Sequence, residues 1–166
     1  MKFDRLFTKK GKGPYEGIRW ETRKSEIRNP DGRAVFQLDG LVVPSSWSQI
    51  AADIIAQKYL RKAGVPADKA EAWKSFVPAG QQGAASLQGA APPKPGAEYD
   101  ARQVFHRLAY TWTLWGKEAG YFDAEEDESA FYEELLYMLA HQMAAPNSPQ
   151  WFNTGLHAVY GIEGPA

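Results

Sequence analysis

Residues 77–98 limit the fold more than any other part of this 166-residue chain. Over that stretch the sequence collapses to Gly, Ala, Pro, Gln and Ser with no apolar period, so it offers neither an amphipathic helix nor a half-buried strand. It reads as a mobile insertion or linker. Any core must then be assembled from what lies on its two sides. The expected division is a β-hairpin and first helix over residues 1–76, the insertion over 77–99, and a helical pair followed by a short polar loop over 100–166. A chain of this length can bury one core without staples, and it has no cysteine with which to make disulfides.

On the N-terminal side, residues 1–15 are basic and punctuated by glycine, which predicts an arm with little regular structure. Residues 17–27 loosely alternate, with Ile18, Trp20 and Thr22 on one parity, as a half-buried strand requires. Asn29-Pro30-Asp31-Gly32 is a turn signal, because Pro presets its φ and Gly accepts φ above zero. The returning strand is expected over 34–38, with a second turn at Asp39-Gly40 before Leu41-Val42-Val43. Ser46 and Gln49 have the spacing of a capping box. The helix they open should bury a stripe of Trp47, Ile50, Ala51, Ile54, Ile55 and Lys58, and end at Gly64 and Pro66. Lys58, Arg61 and Lys62 near its end complement the helix dipole.

Beyond the insertion, Asp100 with Gln103 caps a second helix through Val104, Leu108, Trp112 and Trp115 to Gly120. Asp123 with Glu126 caps a third, carrying Phe131, Leu135, Met138, Leu139 and Gln142 to Ala145, where Pro146 stops it. The few residues between them predict antiparallel packing. The acidic run over 125–128 falls in the first turn, where the dipole favours it. The fold class is α+β: an N-terminal β-hairpin plus three main α-helices.

Composition narrows the chemistry. Nineteen Lys and Arg against 20 acids leave a net charge of −1, with no general attraction to nucleic acid or an anionic membrane. No segment approaches the ~20 apolar residues of a membrane span, and the first residues lack an apolar signal core, so a cytoplasmic location is expected. Without cysteine there is no thiolate metal site and no cysteine nucleophile. His106, His141 and His157 lie too far apart in sequence for a zinc motif, and no metal site is expected. No phosphate-binding glycine loop is present either. Aromatics make up 13 % of the chain, enough for an aromatic core or a covered surface, but no basic groove accompanies them for single-stranded nucleic acid.

What remains is residues 147–155. Asn147, Ser148 and Pro149 should hold the backbone extended and polar after Pro146 breaks the helix. Trp151 and Phe152 can pin the turn to the core, and Asn153, Thr154 and Gly155 add donors and a flexible backbone. A hydroxyl- and amide-bearing turn of this kind could hold a phosphate or sugar. The same pattern also serves simply to close a helix.

Two longer stretches add a resemblance. DIIAQKYLRKAGVP at residues 53–66, preceded by VVPSSWSQIA, and MAAPNSPQWFNTGL at 143–156 resemble the N-terminal region of the adenosylcobalamin-dependent, class II ribonucleotide reductases. The segments LDGLVVP and WTLWGKEAGYF extend the likeness over nearly the whole chain, with residues 80–97 as a lineage-specific insertion. The resemblance implies that the Ser148 hydroxyl bonds the phosphate end of a ribonucleotide, with Asn147 beside it and Pro149, Trp151 and Phe152 supporting the loop. It also implies that the helices lead into a ten-stranded α/β barrel, that adenosylcobalamin supplies the radical, and that a thioredoxin-type reductant serves the whole enzyme. No cobalamin contact can be named from these residues. The family's chemistry needs a thiyl-forming cysteine and a reducing cysteine pair, none of which this chain has, so the segment alone is expected to be inactive. An alternative of another class is a noncatalytic α+β interaction module whose Trp-rich helices dock a partner.

Overall fold

The computed structural model describes residues 1–76 and 96–164, so all but the last four residues of the linker expected over 77–99 lie outside the described residues. Strands β1 (Trp20–Arg28) and β2 (Ala34–Pro44) form an antiparallel hairpin. The Asn29–Gly32 turn closes as expected, with the Gly32 amide donating to the Asn29 carbonyl at 2.8 Å and Gly32 at φ 84°. Asp39-Gly40 does not turn the chain. β2 runs through it, the register slips between Arg23 and Ser25, and Gly40 sits at φ 82°. The pair is a β-bulge, which uses the same positive φ to twist the strand that a turn would use to reverse it.

Past the bulge, Leu41, Val42 and Val43 are fully buried. The Val42 amide donates to the Tyr99 carbonyl at 2.9 Å, and Val42 bridges Asp100 in parallel register. The chain returning from the insertion is therefore laid along the hairpin edge. Residues 96–99, assigned to the linker from composition, include the buried Glu98 and belong with the core.

α1 (Gln49–Ile54) begins two residues later than the Ser46 cap predicted. Ser48 is the N-cap, accepting from the Ala51 amide at 3.1 Å, while the Gln49 side chain donates to the Lys24 carbonyl at 3.1 Å. The helix continues as a π-helical turn, Ile55–Tyr59, and stops at Leu60, whose ψ of 133° is extended, before Gly64 and Pro66 are reached. Its inward face also differs from the predicted stripe. Trp47 and Ile55 of that stripe are buried, but they are joined by Ala52 and Ala56, whereas Ile50 and Ile54 are 72 % and 46 % exposed. Both sets fit a helical period, so spacing cannot choose between them. The small Ala52 and Ala56 let this helix lie close to the core, which the isoleucine face would not.

α2 (Ala101–Glu118) has the predicted capping box: the Arg102 amide donates to Asp100 at 2.8 Å and the Asp100 amide donates to the Gln103 side chain at 2.8 Å. α3 (Glu125–Ala140) starts at Ala124, whose amide donates to Asp127 at 3.0 Å, so Asp127 does the work predicted for Asp123 and Glu126. Asp123 instead meets the N-terminal amine at 2.7 Å. The helix ends at Ala140, with Gln142 at φ 56°, well short of Pro146. The Trp47 indole N–H donates to the Ala140 carbonyl at 2.8 Å, satisfying one of the acceptors a helix end leaves open. α2 and α3 run antiparallel, since Lys117 meets Glu128 and His106 meets Tyr132.

Residues 1–15 contain no helix or extended strand, as expected, yet they are strapped along α3. The Phe3 amide donates to Asp127 at 2.8 Å, the Thr8 amide donates to Glu134 at 2.7 Å, Arg5 lies between Glu126 and Glu133, and the Phe3 ring meets Phe131 edge-on at 5.0 Å. α4 (Ser148–Asn153) and α5 (Leu156–Tyr160) complete the described chain.

Candidate functional site

Of Asn147, Ser148 and Pro149, only Asn147 keeps the extended backbone expected of it, at φ −67° and ψ 161°. Ser148 already begins α4, and Pro149 stands in the first turn, where its missing N–H costs no helical bond. The polar loop predicted from composition is thus a short helix followed by a tight turn. Asn147, Ser148 and Pro149 are exposed. Trp151 is 8 % exposed and stacks on Tyr59 at 5.3 Å with 17° between the rings. Phe152, also expected to pin the turn, remains 42 % exposed and leans on Tyr59 at 5.6 Å. The Tyr59 hydroxyl lies 3.2 Å from the Ser148 hydroxyl.

What fixes this segment is Arg107, on α2. Its guanidinium donates to Glu98 at 2.9 Å, to the Thr154 carbonyl at 2.9 Å, to the Tyr59 carbonyl at 3.0 Å and to the Trp151 carbonyl at 2.7 Å. The side chains of Arg107 and Glu98 are both 0 % exposed. Glu98 in turn accepts from the Tyr160 hydroxyl at 2.9 Å and from the Arg61 amide at 2.7 Å. Burial, then the Glu98 charge, pushes the Tyr160 phenol far above its ordinary range, so it stays a donor. A buried ion pair holds only when its remaining donors and acceptors are satisfied, and here main-chain carbonyls from two separate parts of the chain do that. Gly155 completes the fit: at φ 83° its Cα faces the Arg107 backbone, and a Cβ there would lie 2.2 Å from the Arg107 carbonyl oxygen.

Sequence reasoning missed Arg107, Glu98 and Tyr160. A signal was present, since Arg107 falls on the same stripe of α2 as the buried Val104 and Thr111, and arginine is rarely buried unless it is paired. His106 is buried with Nδ1 2.7 Å from the Tyr132 hydroxyl. Desolvation lowers its pKa to about 4, so it is neutral and a hydrogen-bonding core group at pH 7. His141 caps the end of α3 and packs on Tyr137 at 4.1 Å.

Among the described residues, open depressions of about 470, 430 and 380 Å³ lie elsewhere, walled respectively by Tyr110 and Tyr132, by Phe3 and Trp112, and by Phe36 and Lys62. None is lined by Asn147 or Ser148. Among the described residues no group of His, Asp or Glu could hold a metal ion, and no helix is long and apolar enough to cross a membrane.

Fold and site together define an α+β element, one hairpin and an antiparallel helical pair, that carries a hydroxyl-bearing helix start clamped from behind by a buried ion pair. The sequence model of the class II vitamin B12-dependent ribonucleotide reductases matches residues 21–142. Similar proteins named vitamin B12-dependent ribonucleotide reductase include those of Bradyrhizobium diazoefficiens, 51 % identical over 99 % of this chain, Agrobacterium fabrum, 51 % identical over 99 %, and Rhodopirellula baltica, 34 % identical over 99 %. The chain spans 13–14 % of the length of these relatives. It belongs to the class II vitamin B12-dependent ribonucleotide reductase family.

Proposed function

We propose that this chain is the N-terminal segment of a reductase that converts ribonucleotides to deoxyribonucleotides in the cytoplasm. In this reading its helices pack on a following ten-stranded α/β barrel, adenosylcobalamin bound elsewhere in the protein starts the radical chemistry, and a thioredoxin-type reductant restores the enzyme. The chain has no cysteine, so the thiyl radical and the reducing thiol pair come from other parts of the protein and the segment by itself turns over no substrate.

Its own contribution is to substrate binding, through Ser148 with Asn147 beside it. The observation that carries this is the Ser148 hydroxyl, exposed at the start of α4 and 3.2 Å from a second hydroxyl, on a segment whose carbonyls are locked by a buried arginine. Neutral hydroxyls suit a phosphate oxygen because they donate without a charge that would be costly to desolvate. In the complete reductase, Ser148→Ala removes a bond worth about 0.5–1.5 kcal/mol, which raises KM roughly twofold to tenfold. Steady-state kinetics on ribonucleoside diphosphates and triphosphates measures this, and an unchanged KM for both removes Ser148 from the site.

A further inference from the structure

We infer that Tyr59 is the positioning residue for Ser148, orienting its hydroxyl so that the pair presents one free O–H to an anionic oxygen at the phosphate end of the ribonucleotide. This rests on the reading of Ser148 given above and adds a residue to it. At 3.2 Å the two hydroxyls share one hydrogen bond. That bond uses one of their two protons; the Tyr59 phenol, the more acidic hydroxyl, donates it, so the Ser148 O–H remains to point outward. A hydroxyl that is already accepting a hydrogen bond is polarised and donates more strongly.

Tyr59 is held at three points. Its carbonyl accepts from Arg107 at 3.0 Å, one face of its ring stacks on Trp151 at 5.3 Å, and Phe152 lies against it at 5.6 Å. Its place in the chain is set by the π-helical turn Ile55–Tyr59, closed by the Leu60 amide donating to the Ile55 carbonyl at 3.0 Å. Such turns insert one residue into a helix and are concentrated at functional sites. An exposed serine standing alone samples several rotamers, and a fixed tyrosine hydroxyl selects one before substrate arrives. The ordering cost is then met on folding and not on binding.

The test uses the complete reductase that carries this segment. Tyr59→Phe, Ser148→Ala and the double variant are assayed for KM and kcat with ribonucleoside diphosphates and triphosphates in parallel. Each single change is expected to raise KM roughly twofold to tenfold with kcat within about twofold of the parent. The double variant should be no worse than Ser148→Ala, because Tyr59 acts only through Ser148. Tyr59→Phe keeps the ring stack and should melt with the parent, while Tyr59→Leu should melt lower. A raised KM in Ser148→Ala with the parent's KM in Tyr59→Phe overturns the inference and leaves Ser148 in place. A double variant whose KM is the product of the single effects also overturns it, as does a Tyr59→Phe enzyme that melts as low as Tyr59→Leu. An unchanged KM in Ser148→Ala removes both.

Discussion

Replacing Gly155 by alanine tests whether the segment that carries Ser148 is packed as tightly on α2 as the structure has it. Two costs add at this position. Gly155 has φ 83°, and holding an L-residue there costs about 1 kcal/mol. The new Cβ would also stand 2.2 Å from the Arg107 carbonyl oxygen and 2.6 Å from its carbonyl carbon, where ordinary contact begins near 3.4 Å. Backbone must therefore move by about 1 Å, and the opposing atoms belong to a helix main chain that has no rotamer to change, so the overpacking cost of about 1–3 kcal/mol applies in full. The sum is about 2–4 kcal/mol. Gly120 supplies the control, with φ 69° and nothing within 4 Å of the place a Cβ would take, so alanine there carries only the conformational cost of about 1 kcal/mol. Urea denaturation followed by tryptophan fluorescence, with the slope checked for constancy, gives both losses. If Gly155→Ala costs no more than Gly120→Ala, the segment is not seated on Arg107 and the clamp described above is wrong.

Arg107→Met should be among the most damaging single changes, about 3–5 kcal/mol, because it strands the Glu98 carboxylate at 0 % exposure. Adding Glu98→Gln should recover part of that loss in the same denaturation assay, and no recovery would mean that the stranded charge is not what makes the substitution costly. The His106 imidazole makes stability depend on pH. Its folded pKa of about 4 lies below the ordinary 6.5, so as pH falls through that window the unfolded chain takes up the proton first, and stability drops until it levels near pH 4. At about 1.4 kcal/mol per pH unit the full swing is about 3 kcal/mol. His106→Asn, which keeps a polar atom near the Nδ1 position to meet Tyr132, should flatten that part of the curve between about pH 7 and 4.5. An unchanged slope would place the acid sensitivity elsewhere.

Local order was legible in the residues. The Asn29–Gly32 turn, the Asp100–Gln103 cap with the helix behind it and the irregular first residues all follow from spacing and from what Gly, Pro, Asp and Gln do to a backbone. The family was legible as well, because two long stretches in order and at the right separation leave little room for coincidence. Errors fell where one pattern admits two structures. Asp39-Gly40 signals a positive φ, which serves a bulge as well as a turn. The isoleucine and alanine faces of α1 have the same period, and only the core they meet decides which goes inward. Pro146 forbids a helix to pass but does not require one to reach it.

Arg107 and Glu98 lie on the far side of that line. An arginine within a helix is ordinarily solvated, and a glutamate after a Gly/Ala/Pro-rich stretch looks like the end of a linker. They become a site only when the hairpin edge draws residues 96–99 back into the core and α4 sets the Trp151 and Thr154 carbonyls around one guanidinium. The sequence by itself determined the hairpin, the capped helix and the kinship, since these depend on neighbours a few residues apart. The placement of Ser148 beside Tyr59, on a segment braced by a buried ion pair, was decided by tertiary structure alone, because the burial of a charge depends on partners tens of residues away.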